Sequence, residues 1–168
     1  MIASIEELEA VGIECRALVR RRARAAGALA AIPVMGIDLA GDVALLLEVI
    51  PAINRRFGLE QEQLDRLDSA TKIAIYRVAR KFGGQFIGQA VTADLIVKVI
   101  ARVGVSIAAE SVLKFIPLAG TVAATMIAYY VFRKIAYSHI EDCEKIVREL
   151  IESPPTTTFE QPATEDAP

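Results

Sequence analysis

From Phe115 to Phe132 the chain runs 18 residues without a charge, with Lys114 before the run and Arg133-Lys134 after it. A stretch this apolar must be hidden from water, whether in a protein core, in lipid or against another chain. It lies near the lower limit of the roughly 17–25 residues that a membrane-spanning helix needs. Pro117 and Gly120 fall near its start, and cations flank both sides, so no orientation signal emerges. A second apolar stretch, 25–47, contains Asp38 and Asp42. Each acid would cost about 2.5–3.5 kcal/mol at the centre of a bilayer. A third, around Leu95, carries Asp94, Lys98 and Arg102. A protein that crosses the membrane repeatedly does not fit this pattern. Three readings stay open: a soluble or peripheral bundle with 118–132 as its central buried helix, a protein that inserts one apolar helix or hairpin into lipid, and a chain whose apolar surface a partner covers.

The periodicity is helical almost throughout. Apolar residues make up 54% of the chain, above the roughly 45–50% of ordinary soluble domains. The excess comes from Ala, Ile, Val and Leu, with few turn residues, which favours packed helices over strands. Ser4 and Glu7 fit a capping box ahead of a helix over 5–29, whose acids lie early and whose arginines lie late, as the helix dipole favours. A second helix spans about 37–57, kinked or split at Pro51, and a third about 60–82, re-capped near Ser69. Both end on the same signal: cations, Phe, then Gly58 or Gly83 at the position that favours a left-handed backbone. Helical patterns continue over 85–103 and 105–115, and a last long helix covers 118–152, with Glu141/Lys145 and Glu144/Arg148 spaced as ion pairs. From Ser153 onward Pro, Thr and acids take over. The sequence therefore predicts an all-α, compact bundle of about five to six helices over 1–152, with apolar central helices and a disordered C-terminal tail over 153–168.

One echo recurs. Ile32-Pro-x-x-Gly36 and Ile116-Pro-x-x-Gly120 each introduce a long apolar helix. Pro33, Gly36, Pro117 and Gly120 are accordingly read as structural helix breaks, alongside Gly58 and Gly83. Five residues do not establish a duplication.

Candidate chemistry is sparse. Asp38 and Asp42 share a helix face and could hold a divalent cation, but no third ligand follows at a suitable spacing; carboxylates at a helix start ordinarily complement its dipole. Glu110, in an apolar setting, is expected to pair with a cation from another helix. His139 is the only histidine and is read as a helix-surface residue. The glycines at 83 and 88 mimic a phosphate loop, yet Gln89 and Ala90 stand where Lys and Ser/Thr are required; Gly84 and Gly88 are read instead as a close approach of two helices. Cys15 and Cys143, far apart and outside any ligand spacing, are read as reduced core thiols. Neither metal nor cofactor is expected, and no nucleophile–base pair marks an enzyme. The net charge of −2 argues against a nucleic-acid partner, and the acidic N-terminus argues against a signal peptide. Arg16, Arg20, Arg21, Arg22 and Arg24, just before an apolar segment, are the best candidates for contact with an anionic surface; the competing and favoured reading is a solvated helix face balanced by Glu6, Glu7, Glu9 and Glu14.

Ile32-Pro-Val-Met-Gly-Ile-Asp-Leu-Ala-Gly-Asp-Val-Ala-Leu-Leu, followed by Arg56-Phe-Gly-Leu59 and the later Ile116-Pro-Leu-Ala-Gly120, resembles the helical appendage of immunity-related GTPases and of bacterial Era-like GTPases. The likeness covers about 25–152. The chain departs from those proteins in lacking Gly-x4-Gly-Lys-[Ser/Thr], a base-recognition loop and room for a GTPase domain, so no nucleotide-binding residue carries over. The resemblance implies a stand-alone module for membrane association and self-assembly, acting with a separately encoded GTPase; the chain is expected to be cytoplasmic, peripheral to or inserted in the inner membrane. The alternative reading is a soluble bundle that binds a lipid or another apolar small molecule, in a pocket lined by Phe115, Met126, Tyr129 and Tyr130.

Overall fold

A computed structural model of the chain describes residues 2–29, 38–109 and 120–154. Helix α1 spans Ile5–Leu29, α2 Asp38–Phe57, α3 Gln61–Leu64, α4 Ser69–Phe82, α5 Ala93–Ala109 and α6 Gly120–Glu152. The protein is an all-α bundle, with five long helices, one short one and no strand among the described residues.

The N-terminus of α1 is closed by Ser4, whose Oγ accepts the Glu7 N–H at 3.1 Å. The Glu7 carboxylate reaches one residue further back than a standard capping box and accepts the Ala3 N–H at 2.9 Å. Helix α2 stops as its sequence dictates. Gly58 takes φ 73°, the Leu59 N–H bonds the Asn54 carbonyl at 2.8 Å, and the buried Leu59 side chain seals the turn. Gly83 repeats the device at the end of α4, with φ 77° and the Gly84 N–H on the Ala79 carbonyl. Pro51 does not split α2; the helix runs unbroken through it with one N–H fewer. Chain 60–82 is two helices rather than one. Asp68, not Ser69, caps α4 by accepting the Thr71 N–H at 2.9 Å and the Thr71 hydroxyl at 2.6 Å.

The longest helix, α6, is the spine against which α1, α2, α4 and α5 pack. Its stripe Phe132, Ile135, Ala136, Ile140, Cys143, Ile146 and Val147 is buried, and repeats at the helical period. Facing it are Leu8, Cys15 and Val19 of α1 and Leu46, Val49, Ile50, Ile53 and Phe57 of α2. The directions follow from the contacts. Arg16 meets Glu144, and Ile2 shares a cavity with Leu150 and Ile151, so α1 runs opposite to α6. Asn54 meets His139 and Phe57 lies near Val147, so α2 runs with α6.

Two segments depart from their sequence reading. Residues 83–92 form a loop, not the start of a helix, and α5 begins only at Ala93 and continues unbroken through Gly104 to Ala109. The close approach read at Gly84 and Gly88 is real, but it brings a loop against helices. A Cβ at Gly84 would lie 3.2 Å from Ile146 Cδ1, and one at Gly88 would overlap the Tyr76 ring. Pro33, Gly36, Pro117, Glu110 and the tail beyond Pro154 lie outside the described residues.

Candidate functional site: a buried polar cluster and a cationic bundle end

His139 is the clearest reversal. It is not on the surface but 2% exposed, on the buried stripe of α6. Its Nε2 lies 2.7 Å from Asn54 Oδ1, while Asn54 Nδ2 donates to the Phe86 carbonyl at 2.9 Å. Because a carbonyl only accepts, the amide of Asn54 must face Phe86, which leaves Oδ1 for the histidine. Oδ1 in turn requires a donor, so a proton sits on Nε2. The Phe86 ring stands edge-on to the imidazole, with centroids 5.2 Å apart at 84°. Burial pushes the imidazole down to about 3.

Cys143, one turn along α6, places Sγ 3.7 Å from the same Nε2 and 3.9 Å from Asn54 Oδ1. Cysteine, histidine and asparagine together are the side chains of a thiol-hydrolase triad, but this arrangement cannot work as one. In such a triad the thiol and the amide engage opposite ring nitrogens, whereas here both crowd Nε2. Burial also drives the Cys143 thiol well up, the reverse of what a thiolate–imidazolium pair needs. The cluster is buried, and it ties the 83–92 loop to α2 and α6. Cys15, also buried, is raised to about 11 by the same desolvation. Both thiols are free, as their spacing led us to read them.

The five arginines divide. Arg16, its side chain partly exposed, grips Glu144 with two nitrogens, at 2.6 and 2.8 Å, and bolts α1 to α6. Glu144 is thereby withdrawn from Arg148, and Lys145 pairs with Asp142 rather than Glu141. Arg22 pairs with Glu48 of α2. Arg20, Arg21 and Arg24 are exposed. Asp38 and Gly120 are the first residues of α2 and α6, and the side chains of Asp38 and Asp42 lie outside the described set.

No described group of three or more His, Cys, Asp or Glu converges as a metal site would, and no described helix is long and apolar enough to cross a membrane. Tyr129 and Tyr130 are 41% and 53% exposed rather than enclosed. They line neither the apolar cavity of about 240 Å³ between Ile2, Phe57 and Leu150 nor the one of about 110 Å³ between Val99, Lys134 and His139.

Asn54 and His139 were legible in principle. Asn54 falls among Ile50, Ile53 and Phe57, and His139 among Ile135, Ile140 and Cys143, so each occupies a core position of its helix. What fold and cluster define is a class: an all-α bundle locked by neutral buried polar groups, with exposed arginines toward one end. No family profile, curated protein or solved structure matches the chain.

Proposed function

We propose that this protein is a non-catalytic helical module that associates with a membrane through one end of its bundle and assembles there with protein partners. One observation supports the reading: α1 and α2 run antiparallel, so the helix ends at 29 and 38 point toward the same pole. The eight residues 30–37 join α1 to α2, which run antiparallel, and the ten residues 110–119 join α5 to α6. The chain passes Tyr76 of α4 at Gly88 before entering α5, and Val99 and Val103 share a cavity with Ile135, His139 and Asp142 of α6. A connection this short also favours antiparallel neighbours. Residues 29, 38, 109 and 120 therefore end their helices toward one pole. In sequence, the uncharged runs 25–37 and 115–128 adjoin these helix ends, with Asp38, Asp42, Glu110 and Lys114 beside them.

The reading is of a bundle that meets the membrane at one end, from one side rather than by spanning it. Arg20, Arg21 and Arg24 on the last exposed turns of α1 suit it to anionic lipid, each cation being worth about 1 kcal/mol near such a surface. The resemblance to GTPase appendages adds a separately encoded GTPase as the partner class. An apolar-ligand carrier is less well supported, because the larger cavity described, about 240 Å³, falls below the roughly 300–1,000 Å³ of small-molecule sites. Vesicle co-sedimentation tests the proposal. The protein is expected to pellet with vesicles containing phosphatidylglycerol; failure to bind any vesicle, with a clean monomer at high concentration, would overturn it.

A further inference from the structure

At the end of the bundle where α1 begins and α6 finishes lies the apolar cavity of about 240 Å³. Ile2, Phe57, Leu59, Ile75, Leu150 and Ile151 wall it, and the exposed Pro154 lines it too. The polypeptide therefore leaves the described structure at the cavity itself, with residues 155–168 still to come. Phe159 is the one large apolar side chain among them, and extended chain from Pro154 carries it up to about 17 Å. An apolar cavity of about 150 Å³ already accepts a benzene ring, so this one has room for an aromatic side chain. Charge adds to the match. Residues 155–168 carry Glu160, Glu165 and Asp166 and no cation. Arg56, next to Phe57, and Arg148, next to Val147 of the cavity wall, have no ion-pair partner among the described residues.

We infer that Phe159 folds back from Pro154 and seats its ring in this cavity, so that the C-terminal segment of the chain plugs this end of the bundle. The inference needs no lipid and concerns the pole opposite residues 29 and 38, so it stands apart from the membrane reading. The occupant follows from the tether. A linker of a few residues holds its end at a local concentration on the order of millimolar, which a free apolar molecule would have to outcompete. The same segment of a second copy has no such advantage and fills the cavity only as protein concentration rises. Seated there, the ring covers apolar wall from α1, α2, α4 and α6 at once.

The chain contains no Trp, so Phe159→Trp in the full chain places a single indole at the plug. Its emission should be blue-shifted, shielded from acrylamide and the same at every protein concentration. Ala163→Trp, past Pro162 and with Phe159 intact, should give water-like emission that acrylamide quenches freely. Adding Ile151→Gln to Phe159→Trp makes the half-buried wall polar and should move the emission toward that of water, with helical circular dichroism unchanged. Water-like emission from Phe159→Trp, or a blue shift that Ile151→Gln leaves in place, would overturn the plug. Equal blue shifts at 159 and 163 would overturn it too. A shift that grows with protein concentration would overturn it in favour of the tail of a neighbouring molecule.

Discussion

His139 is a neutral imidazole held inside a helical core, and its protonation carries a cost that depends on pH. Its folded value is about 3, against an ordinary 6.5. The unfolded chain therefore takes up a proton below about pH 6.5 that the folded chain refuses. Stability from this group is fully present above about 6.5 and is lost as pH falls toward 3, with a one-site slope of up to about 1.4 kcal/mol per unit. Denaturant titrations should show the parent losing about 2 kcal/mol more than His139→Gln between about pH 6.5 and about pH 5. Equal pH dependence in the two proteins would mean that the histidine is not held neutral. The sequence could have placed it: residues 135, 136, 139, 140 and 143 make one stripe. Judging the histidine by type rather than by its position on that stripe put it on the surface.

Within the elements, glycines separate positions where the backbone needs freedom from those where it does not. At Gly88, φ is 69° and a side chain would overlap Tyr76, so Gly88→Ala should cost about 2 kcal/mol or more. At Gly41, inside α2, a Cβ would meet nothing within 4 Å, and Gly41→Ala should stabilise by about 0.5–1 kcal/mol through helix propensity. Thermal melts of the two variants should move in opposite directions; a Gly88→Ala melt at or above the parent would show that the loop does not need its left-handed turn. Helix ends at Gly58 and Gly83 were legible because a glycine after cations and an aromatic has few other uses. The loop at 83–92 was not. Phe86, Ile87 and Val91 are apolar at helical spacing, yet Phe86 and Ile87 are buried from a loop that the Asn54 amide fastens through the Phe86 carbonyl. A bond between residues 32 positions apart leaves no local trace in the sequence. The same holds for Arg16, whose i,i+4 surroundings give no hint that Glu144 will take it.

For the whole molecule, the bundle organises a chain that composition alone would leave ambiguous. α6 buries one stripe against four other helices, and the Arg16–Glu144 and Asn54–His139 contacts fix which way two of them run. With those two directions fixed, the membrane proposal requires residues 29, 38, 109 and 120 to end their helices toward one pole. That polarity is the central claim, and depth-resolved labelling tests it most directly. A polarity-sensitive fluorophore is attached in turn at position 34, at position 118 and at Arg66, in protein bound to vesicles that contain phosphatidylglycerol. The account predicts blue-shifted emission, quenched by acyl-chain quenchers, from labels at 34 and 118, and water-like emission from the label at Arg66. Water-like emission from all three, or burial of the label at Arg66 alone, would contradict it.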